Sequence, residues 1–467
     1  MPARSGYDLA VVGSGGGAFA AAIRATELGA RVVMVERGTV GGTCVNVGCV
    51  PSKTLLRGSE LYHHAGHNPF AGLETRAGAV DLGALVAQKS ELVAELRQEK
   101  YLDLAEEYGW ELVRGEARFE DARSLRVGGR TIRAAKVLLA TGARPAVPAI
   151  PGLDGVSYLT STSALELTRL PERLVVVGAG YVALELGALF RRLGSRVTLL
   201  QRGERVLGEY DPEVADAARS AFEADGLLFL PGVRYERVEK AAAGVAVHVT
   251  VGGAARAVEG DALLVAAGRT PNTEALALER GRVELGKHGE VLVDDRMRTS
   301  NPDVYAAGDV TLGPQFVYVA AHQGMVAAEN ALGGDRAVDL RAVPAVTFTN
   351  PAVATVGLTE ARARAAGHRV KASVLSASAV PRAIVNHDEH GVFKIVADAE
   401  SDHVLGVHVV AENAGDVIHA GVLAVKFGLT VRDLAETLAP YLTMAEGLRL
   451  AAQTFGRDVA KLSCCAA

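Results

Sequence analysis

Hydrophobic positions along the chain fall into short apolar runs closed by glycine, each followed by a stretch with helical periodicity. This arrangement occurs twice. Residues 7–12, Tyr-Asp-Leu-Ala-Val-Val, predict a strand that stops at Gly13-Ser14-Gly15-Gly16-Gly17-Ala18. A helical run over 19–28 and a strand over 31–35 follow, the strand closed by Glu36. The second copy starts with a strand over 174–177 and the turn Gly178-Ala179-Gly180-Tyr181-Val182-Ala183. A helix to about 193 and a strand over 196–200 complete it, closed by Gln201 and Arg202. The interval from Gly13 to Glu36 equals that from Gly178 to Gln201.

A glycine turn between strand and helix is the framework of a dinucleotide site. Gly13 and Gly178 permit the tight turn, and Gly15 and Gly180 let a pyrophosphate approach the backbone. The small Ala18 and Ala183 let helix and strand pack closely. The free N–H groups and dipole of each following helix favour phosphate. The two copies differ in the polar residue that closes the second strand. Glu36 can accept hydrogen bonds from the ribose 2′-OH of FAD or NAD. Gln201 lacks the carboxylate and is followed by Arg202 and Arg205, which suits the 2′-phosphate of NADPH.

Three further apolar runs end in small residues and glycine. They lead into Ala140-Thr141-Gly142, Ala267-Gly268-Arg269-Thr270-Pro271-Asn272 and Ala307-Gly308-Asp309. Glycine there lets backbone lie against a cofactor, and Asp309 is placed to hold a flavin ribityl hydroxyl. From about residue 343 the pattern changes. Strand-like runs at 345–348, 392–396 and 404–410 precede helical runs at 414–427, 431–438 and 446–455. The expected fold is therefore α/β: two Rossmann-like dinucleotide-binding domains, for FAD and NAD(P), plus a third, C-terminal α+β domain. The expected boundaries are 1–148 with 271–342 for FAD, 149–270 for NADPH, and 343–467 for the C-terminal domain, which the family resemblance given below makes a dimerisation domain.

Composition narrows the class. Hydrophobic residues make up 49% and charged residues 22% of 467, and the net charge is −5. That balance suits a water-soluble enzyme and gives no electrostatic case for nucleic acid or an anionic membrane. No apolar run reaches the roughly 18–20 residues of a spanning helix, and no signal-peptide pattern opens the chain. A cytoplasmic location is expected, where cysteines are more often catalytic or metal-binding than structural.

The chain has four cysteines. Cys44 and Cys49 lie in Gly41-Gly42-Thr43-Cys44-Val45-Asn46-Val47-Gly48-Cys49-Val50-Pro51-Ser52-Lys53, and Cys464-Cys465 lie side by side near the other end. A helix starting near Val50 places Cys49 where an N-terminal dipole stabilises a thiolate. Pro51 suits the first turn of that helix. A disulfide between Cys44 and Cys49 would accept two electrons by thiol exchange. The spacing does not match a zinc site, which wants Cys-x-x-Cys pairs or completing histidines.

With these motifs in place, the chain resembles the flavoprotein disulfide reductases, the class I pyridine nucleotide-disulfide oxidoreductases, over essentially its whole length. Within that family it is most similar to the NADPH-dependent branch that reduces Hg(II) to elemental mercury. Three features carry the narrower resemblance: the Cys464-Cys465 tail, the segment Pro440-Tyr441-Leu442-Thr443-Met444-Ala445-Glu446, and Gln201-Arg202. Disulfide-reducing relatives carry His-Pro where this chain has Tyr441-Leu442, and their histidine protonates a leaving thiol. A phenol, with a reference pKa near ~10, is a poor shuttle at neutral pH. A substrate that leaves as a metal atom has no such thiol to protonate.

The resemblance implies roles residue by residue. Cys49 is the thiolate against the flavin, and Cys44 faces substrate. Lys53 reaches the flavin N5 edge and pairs with Glu185. Tyr181 covers the flavin until nicotinamide displaces it, and Tyr181 and Tyr441 lie near the metal. Gly38, Thr43, Ala117 and Val317 contact FAD. Cys464 and Cys465 of the partner subunit capture Hg(II) from a thiol complex and pass it to Cys44 and Cys49, so a homodimer is implied. Many members of that branch begin with a small domain bearing Gly-Met-Thr-Cys-x-x-Cys, and this sequence begins at the FAD-binding strand. Two rivals remain. One is a thioredoxin-reductase-like disulfide reductase with a Cys-Cys relay tail, and the other is a mercury-sequestering or sensing protein.

Overall fold

The computed structural model describes residues 6–457. Two compact units divide the chain. One comprises residues up to 54, 84–146 and 268–339, and the other 55–83, 147–267 and 340 onward.

In the first unit, Tyr7–Val12 pairs in parallel with Val32–Glu36, which pairs in parallel with Glu111–Arg114. On its other side Tyr7–Val12 pairs in parallel with the end of Arg130–Leu139, and Val304–Ala306 pairs in parallel beyond that. The start of Arg130–Leu139 turns instead into an antiparallel ladder with Ser124–Val127 and Ala117–Asp121. Leu9, Ala10, Val11 and Val12 are all buried, the continuous apolar run of a parallel strand covered on both faces. Leu9 and Val11 pack with Phe19, Ala22 and Val326 on one face. Ala10 and Val12 pack with Phe119, Leu125 and Leu278 on the other.

The helices Gly16–Glu27 and Val317–Ala331 cover the first of these faces. They approach so closely that a Cβ on Gly324 would lie 2.1 Å from the Gly17 carbonyl oxygen. This approach also explains why the first helix begins at Gly16 rather than at 19. The glycines that look like loop in the sequence form its first turn, because only glycine fits against the neighbouring helix.

The second unit contains a parallel sheet in the order Leu228–Leu230, Arg196–Leu200, Arg173–Val177, Ala262–Val265. The helix Tyr181–Leu193 is buried along most of its length. A three-stranded antiparallel sheet, Arg234–Ala241, Gly244–Val251 and Ala254–Gly260, packs its Val238, Val245 and Val247 against Val175 and Val177 of that sheet. Residues beyond 340 form a five-stranded antiparallel sheet in the order Pro344–Thr347, Ala352–Gly357, Val404–Ala411, Val392–Asp398, Val370–Ser376. The helices Ala414–Phe427 and Glu446–Gln453 contribute Ile418, Leu448 and Ala451 to its core around Phe393 and Val407. The helix expected over 431–438 stops at Glu436, where Thr437 turns to extended backbone (φ −68°, ψ 126°). Among the described residues no helix is long and apolar enough to cross a membrane.

The Gly17–Gly324 crossing yields a stability prediction. Gly324→Ala must push the two helices apart and should lower unfolding stability by about 3 kcal/mol, the upper range for overpacking a well-fitted interior. Urea denaturation checks this, and an unchanged midpoint would show that the crossing can relax.

Candidate active site

The two glycine turns are built alike. Gly13 adopts φ +111° and Gly178 φ +116°. A Cβ at Gly13 would lie 2.3 Å from the Ala140 carbonyl oxygen, and one at Gly178 would lie 2.4 Å from that of Ala266. Each turn therefore presses against the end of the neighbouring parallel strand, which admits no side chain. Ala18 and Ala183 are fully buried behind the turns. Gly15 and Gly180 are the N-caps of Gly16–Glu27 and Tyr181–Leu193, and neither helix start has a side-chain cap. The leading N–H groups are thus left for an anion.

In the first unit Gly13, Glu36, Ala117, Thr141 and Asn272 line one pocket. Glu36 is oriented there by two donors: Ser14 Oγ gives a hydrogen bond of 2.5 Å to Oε2, and the Gly38 N–H gives one of 2.6 Å to Oε1. Thr141 Oγ1 donates to the Asn272 carbonyl at 2.8 Å, and Asn272 Nδ2 donates back to the Thr141 carbonyl at 2.9 Å. Sequence reasoning gave no role to Asn272. Its signal is the Gly-Arg-Thr-Pro-Asn run that leaves an apolar strand, of which only Gly268 was assigned.

Asp309 and Arg269 meet in the same unit, with Nε 3.4 Å from Oδ2. Burial pushes the Asp309 carboxyl above its usual range, and the Arg269 guanidinium opposes this in part. Arg269 also donates through Nη2 to the Ala143 carbonyl, yet its buried Nε lacks a hydrogen bond, as does the buried Nε2 of Gln315. Gly142 (φ +66°) and Gly268 (φ +112°) have open space where a Cβ would stand. Val317 begins the helix Val317–Ala331, and a Cβ on Gly16 would lie 2.8 Å from its Cγ2. Orphaned polar atoms, a carboxylate in a pocket and clear ground over glycine are what a polar, dinucleotide-sized cofactor would complete.

The cysteines sit on consecutive helices. Gly42–Val47 carries Thr43 and Cys44, Gly48 breaks the helix, and Cys49 is the first residue of Cys49–Gly66. A Cβ at Gly48 would lie 2.9 Å from the Thr43 carbonyl oxygen, so the break needs glycine. Both sulfurs are free thiols. The hydrogen bond between Cys44 and Cys49 pushes the Cys44 thiol far above the ordinary cysteine range, and burial adds to it. The Lys53 charge offsets part of this rise.

Asn46 braces the helix that carries Cys44. Its Nδ2 donates to the carbonyls of Val40 and Gly42, each at 2.9 Å, and its Oδ1 accepts from Arg97 Nη1 at 3.1 Å. Tyr101, four residues beyond Arg97, packs edge-on to Phe19. Burial and the charge on Cys44 and Cys49 raise its phenol. Neither Asn46 nor Tyr101 was singled out from sequence, since nothing there marks the 97–101 segment as a neighbour of the cysteines.

The remaining expected residues lie in the second unit or outside the described residues. Tyr181 opens its helix. Glu185 is buried, and its Oε1 accepts from the Phe348 N–H at 2.9 Å. Gln201 follows the strand Arg196–Leu200. Arg202 is exposed, and its charge reaches the Tyr235 phenol. Arg205 binds Asp216 with Nε–Oδ1 2.9 Å and Nη2–Oδ2 3.3 Å. Tyr441 is half-exposed. Leu442 has φ +58°, and its N–H donates to Glu446 Oε2 at 2.7 Å, so this buried carboxylate fixes the backbone beside Tyr441. Cys464 and Cys465 lie outside the described residues.

The chain matches the pyridine nucleotide-disulphide oxidoreductase family over residues 7–324 and that family's dimerisation domain over 343–452. It belongs to this family. Several relatives carry the name mercuric reductase. That of Lysinibacillus sphaericus is 58% identical over 98% of this chain and 84% of its own length. That of Streptomyces lividans is 50% identical over the full length of both. Among solved structures, the Cu(II) complex of the HOCl-induced flavoprotein disulfide reductase RclA from Escherichia coli superposes with a TM-score of 0.86. It shares 29% identity over 97% of this chain and all of that one.

The two thiols of the pair are not equivalent, because the hydrogen bond to Cys49 and burial hold the proton on Cys44. A thiol whose pKa is raised ionises only above the ordinary cysteine range, which centres near about 8.5. In the reduced protein, Cys44→Ser should therefore remove no thiolate absorbance as pH rises through that range. A Cys44→Ser difference titration showing a full thiolate lost near pH ~8.5 would contradict the hydrogen-bonded arrangement.

Proposed function

We propose that this chain is an NADPH-dependent flavoenzyme that reduces Hg(II) to Hg(0) as a homodimer, in the service of mercury detoxification in the cytoplasm. The observation that carries the reading is identity of 50% or more, over nearly the whole chain, to relatives named mercuric reductase. Tyr441, where disulfide-reducing members have histidine, supports it. So does a soft dithiol, the ligand chemistry that selects a soft metal. The reaction balances as NADPH plus Hg(II) giving NADP⁺, H⁺ and Hg(0).

Bound FAD would supply two-electron transfer from NADPH toward the Cys44–Cys49 side. Gly13, Gly15, Ala18, Glu36, Gly38, Thr43, Ala117, Thr141, Gly142, Gly268, Asp309 and Val317 are the residues assigned to hold it. Gly178, Gly180, Ala183, Gln201, Arg202 and Arg205 are assigned to NADPH. Lys53 places a cation on the helix that begins with Cys49, one turn along. Glu185 keeps a buried carboxylate in fixed orientation through the Phe348 N–H. Tyr181 heads the helix behind the second glycine turn, where an aromatic ring can cover or admit nicotinamide.

The cysteines bind the metal. Cys44 holds a proton in its bond to Cys49, and Hg(II) must displace that proton to be ligated by both sulfurs. Cys464 and Cys465 of the partner subunit take Hg(II) from solution thiols and hand it on by ligand exchange, which keeps two thiolates on the metal throughout. Cys44→Ala should abolish release of mercury vapour.

Replacing Cys464 and Cys465 together by Ala tests the relay. Turnover with thiol-complexed Hg(II) should fall by at least about 100-fold, on the order expected when a positioned reacting partner is lost, while NADPH still reduces the flavin at its normal rate. Unchanged mercury turnover would reject the relay. Efficient NADPH oxidation with thioredoxin and none with Hg(II) would favour the disulfide-reductase alternative.

A further inference from the structure

The most unusual charged group in the second unit is Lys394. Its side chain is completely buried on Val392–Asp398, an interior strand of the five-stranded sheet. Three carboxylates surround its Nζ: Glu360 at 2.7 Å, Glu213 at 2.9 Å and Asp211 at 3.3 Å. Two of these, Asp211 and Glu213, belong to the start of the helix Pro212–Ala224, immediately after the loop that carries Gln201, Arg202 and Arg205. Asp211 is the N-cap residue of that helix but gives it no side-chain cap. Its carboxylate turns away and accepts from the Glu360 N–H at 3.1 and 3.3 Å.

Lys394 is one member of a polar row. Cross-strand register places His408 beside Lys394 and Thr355 beside His408. All three are buried. Thr355 hydrogen-bonds Tyr210, the residue before Asp211. The loop end 210–213 is thus fastened to the sheet at Tyr210, Asp211 and Glu213 together. The same helix carries Asp216 one turn on, and Asp216 holds Arg205 by its paired hydrogen bonds. A continuous chain of contacts therefore runs from Lys394 through Asp211 and Glu213 to the helix, and from Asp216 to Arg205.

We propose that Lys394 is a positioning residue for cofactor selectivity: from the C-terminal sheet it fixes the arginine loop that recognises the 2′-phosphate of NADPH. This rests on the NADPH assignment above. The rest of a dinucleotide would meet the Gly178–Gly180 turn, which is set by the neighbouring strand end at Ala266 and not by Lys394. Loss of the anchor therefore weakens the phosphate contact and spares what NADH and NADPH share.

The test compares KM for NADPH and for NADH in the holoenzyme, using wild type, Lys394→Met and Lys394→Arg. Wild type should prefer NADPH. Lys394→Met should raise KM for NADPH about tenfold, as a small misplacement of a binding group can. KM for NADH should change less than about twofold, and Lys394→Arg should restore much of the preference. If Lys394→Met does not fold, Glu213→Gln, a milder cut in the same cluster, should raise KM for NADPH by about two- to threefold with the same selectivity. Equal changes in both KM values, or none, would overturn the proposal and leave the NADPH assignment standing. A wild-type enzyme indifferent between the two cofactors would overturn the assignment, and the proposal with it.

Discussion

The structure depends on one steric constraint, the contact of a strand-to-helix turn with the carbonyl that ends the neighbouring parallel strand. Gly13 meets Ala140 and Gly178 meets Ala266 at distances that leave no room for a Cβ. Because each turn is pressed inward, the following helix starts directly over the end of the sheet. Its unpaired N–H groups then face the ground where a phosphate would sit. Glu36 and Gln201, one strand further along, fall at equivalent distances from their turns. The difference between a ribose-binding carboxylate and an amide followed by arginine is therefore a difference in chemistry on one repeated geometry.

Electrostatics in the molecule is arranged around buried charge that has partners. Lys394 is wholly enclosed, and three carboxylates outweigh the cost of its burial and hold its ammonium above the usual lysine range. Removing one partner from such a cluster typically costs about 3–5 kcal/mol, because the remainder is left buried and uncompensated. Asp309 shows the opposite balance. Burial raises its carboxyl, and one arginine at 3.4 Å offsets only part of that. The buried Arg269 Nε beside it makes no hydrogen bond, a donor that an oxygen of a bound ligand would satisfy.

The cysteine pair joins helix geometry to redox chemistry. Gly48 ends one short helix so that Cys49 can begin the next. Asn46 ties the short helix to Val40, Gly42 and Arg97. The hydrogen bond to Cys49 and burial make Cys44 the harder of the two thiols to ionise, so the pair does not present two equivalent ligands to an incoming metal.

Much of this was legible in the sequence because it depends on local patterns. The strands Tyr7–Val12 and Arg196–Leu200 and the helix Ala414–Phe427 are where hydrophobic periodicity puts them. The glycine turns and the Cys44–Cys49 spacing are short motifs whose mechanism is contained in a few residues. The sequence did not reveal what depends on residues far apart in the chain. Asn272 closes on Thr141, Arg269 on Asp309, Arg97 on Asn46, and Lys394 on Asp211 and Glu213. The sequence by itself determined the two nucleotide-binding frames and the thiol chemistry, since backbone conformation and cysteine spacing are local. Only the tertiary structure decided which polar groups stand together and which thiol keeps its proton, since burial and charge pairing exist only once distant segments have packed.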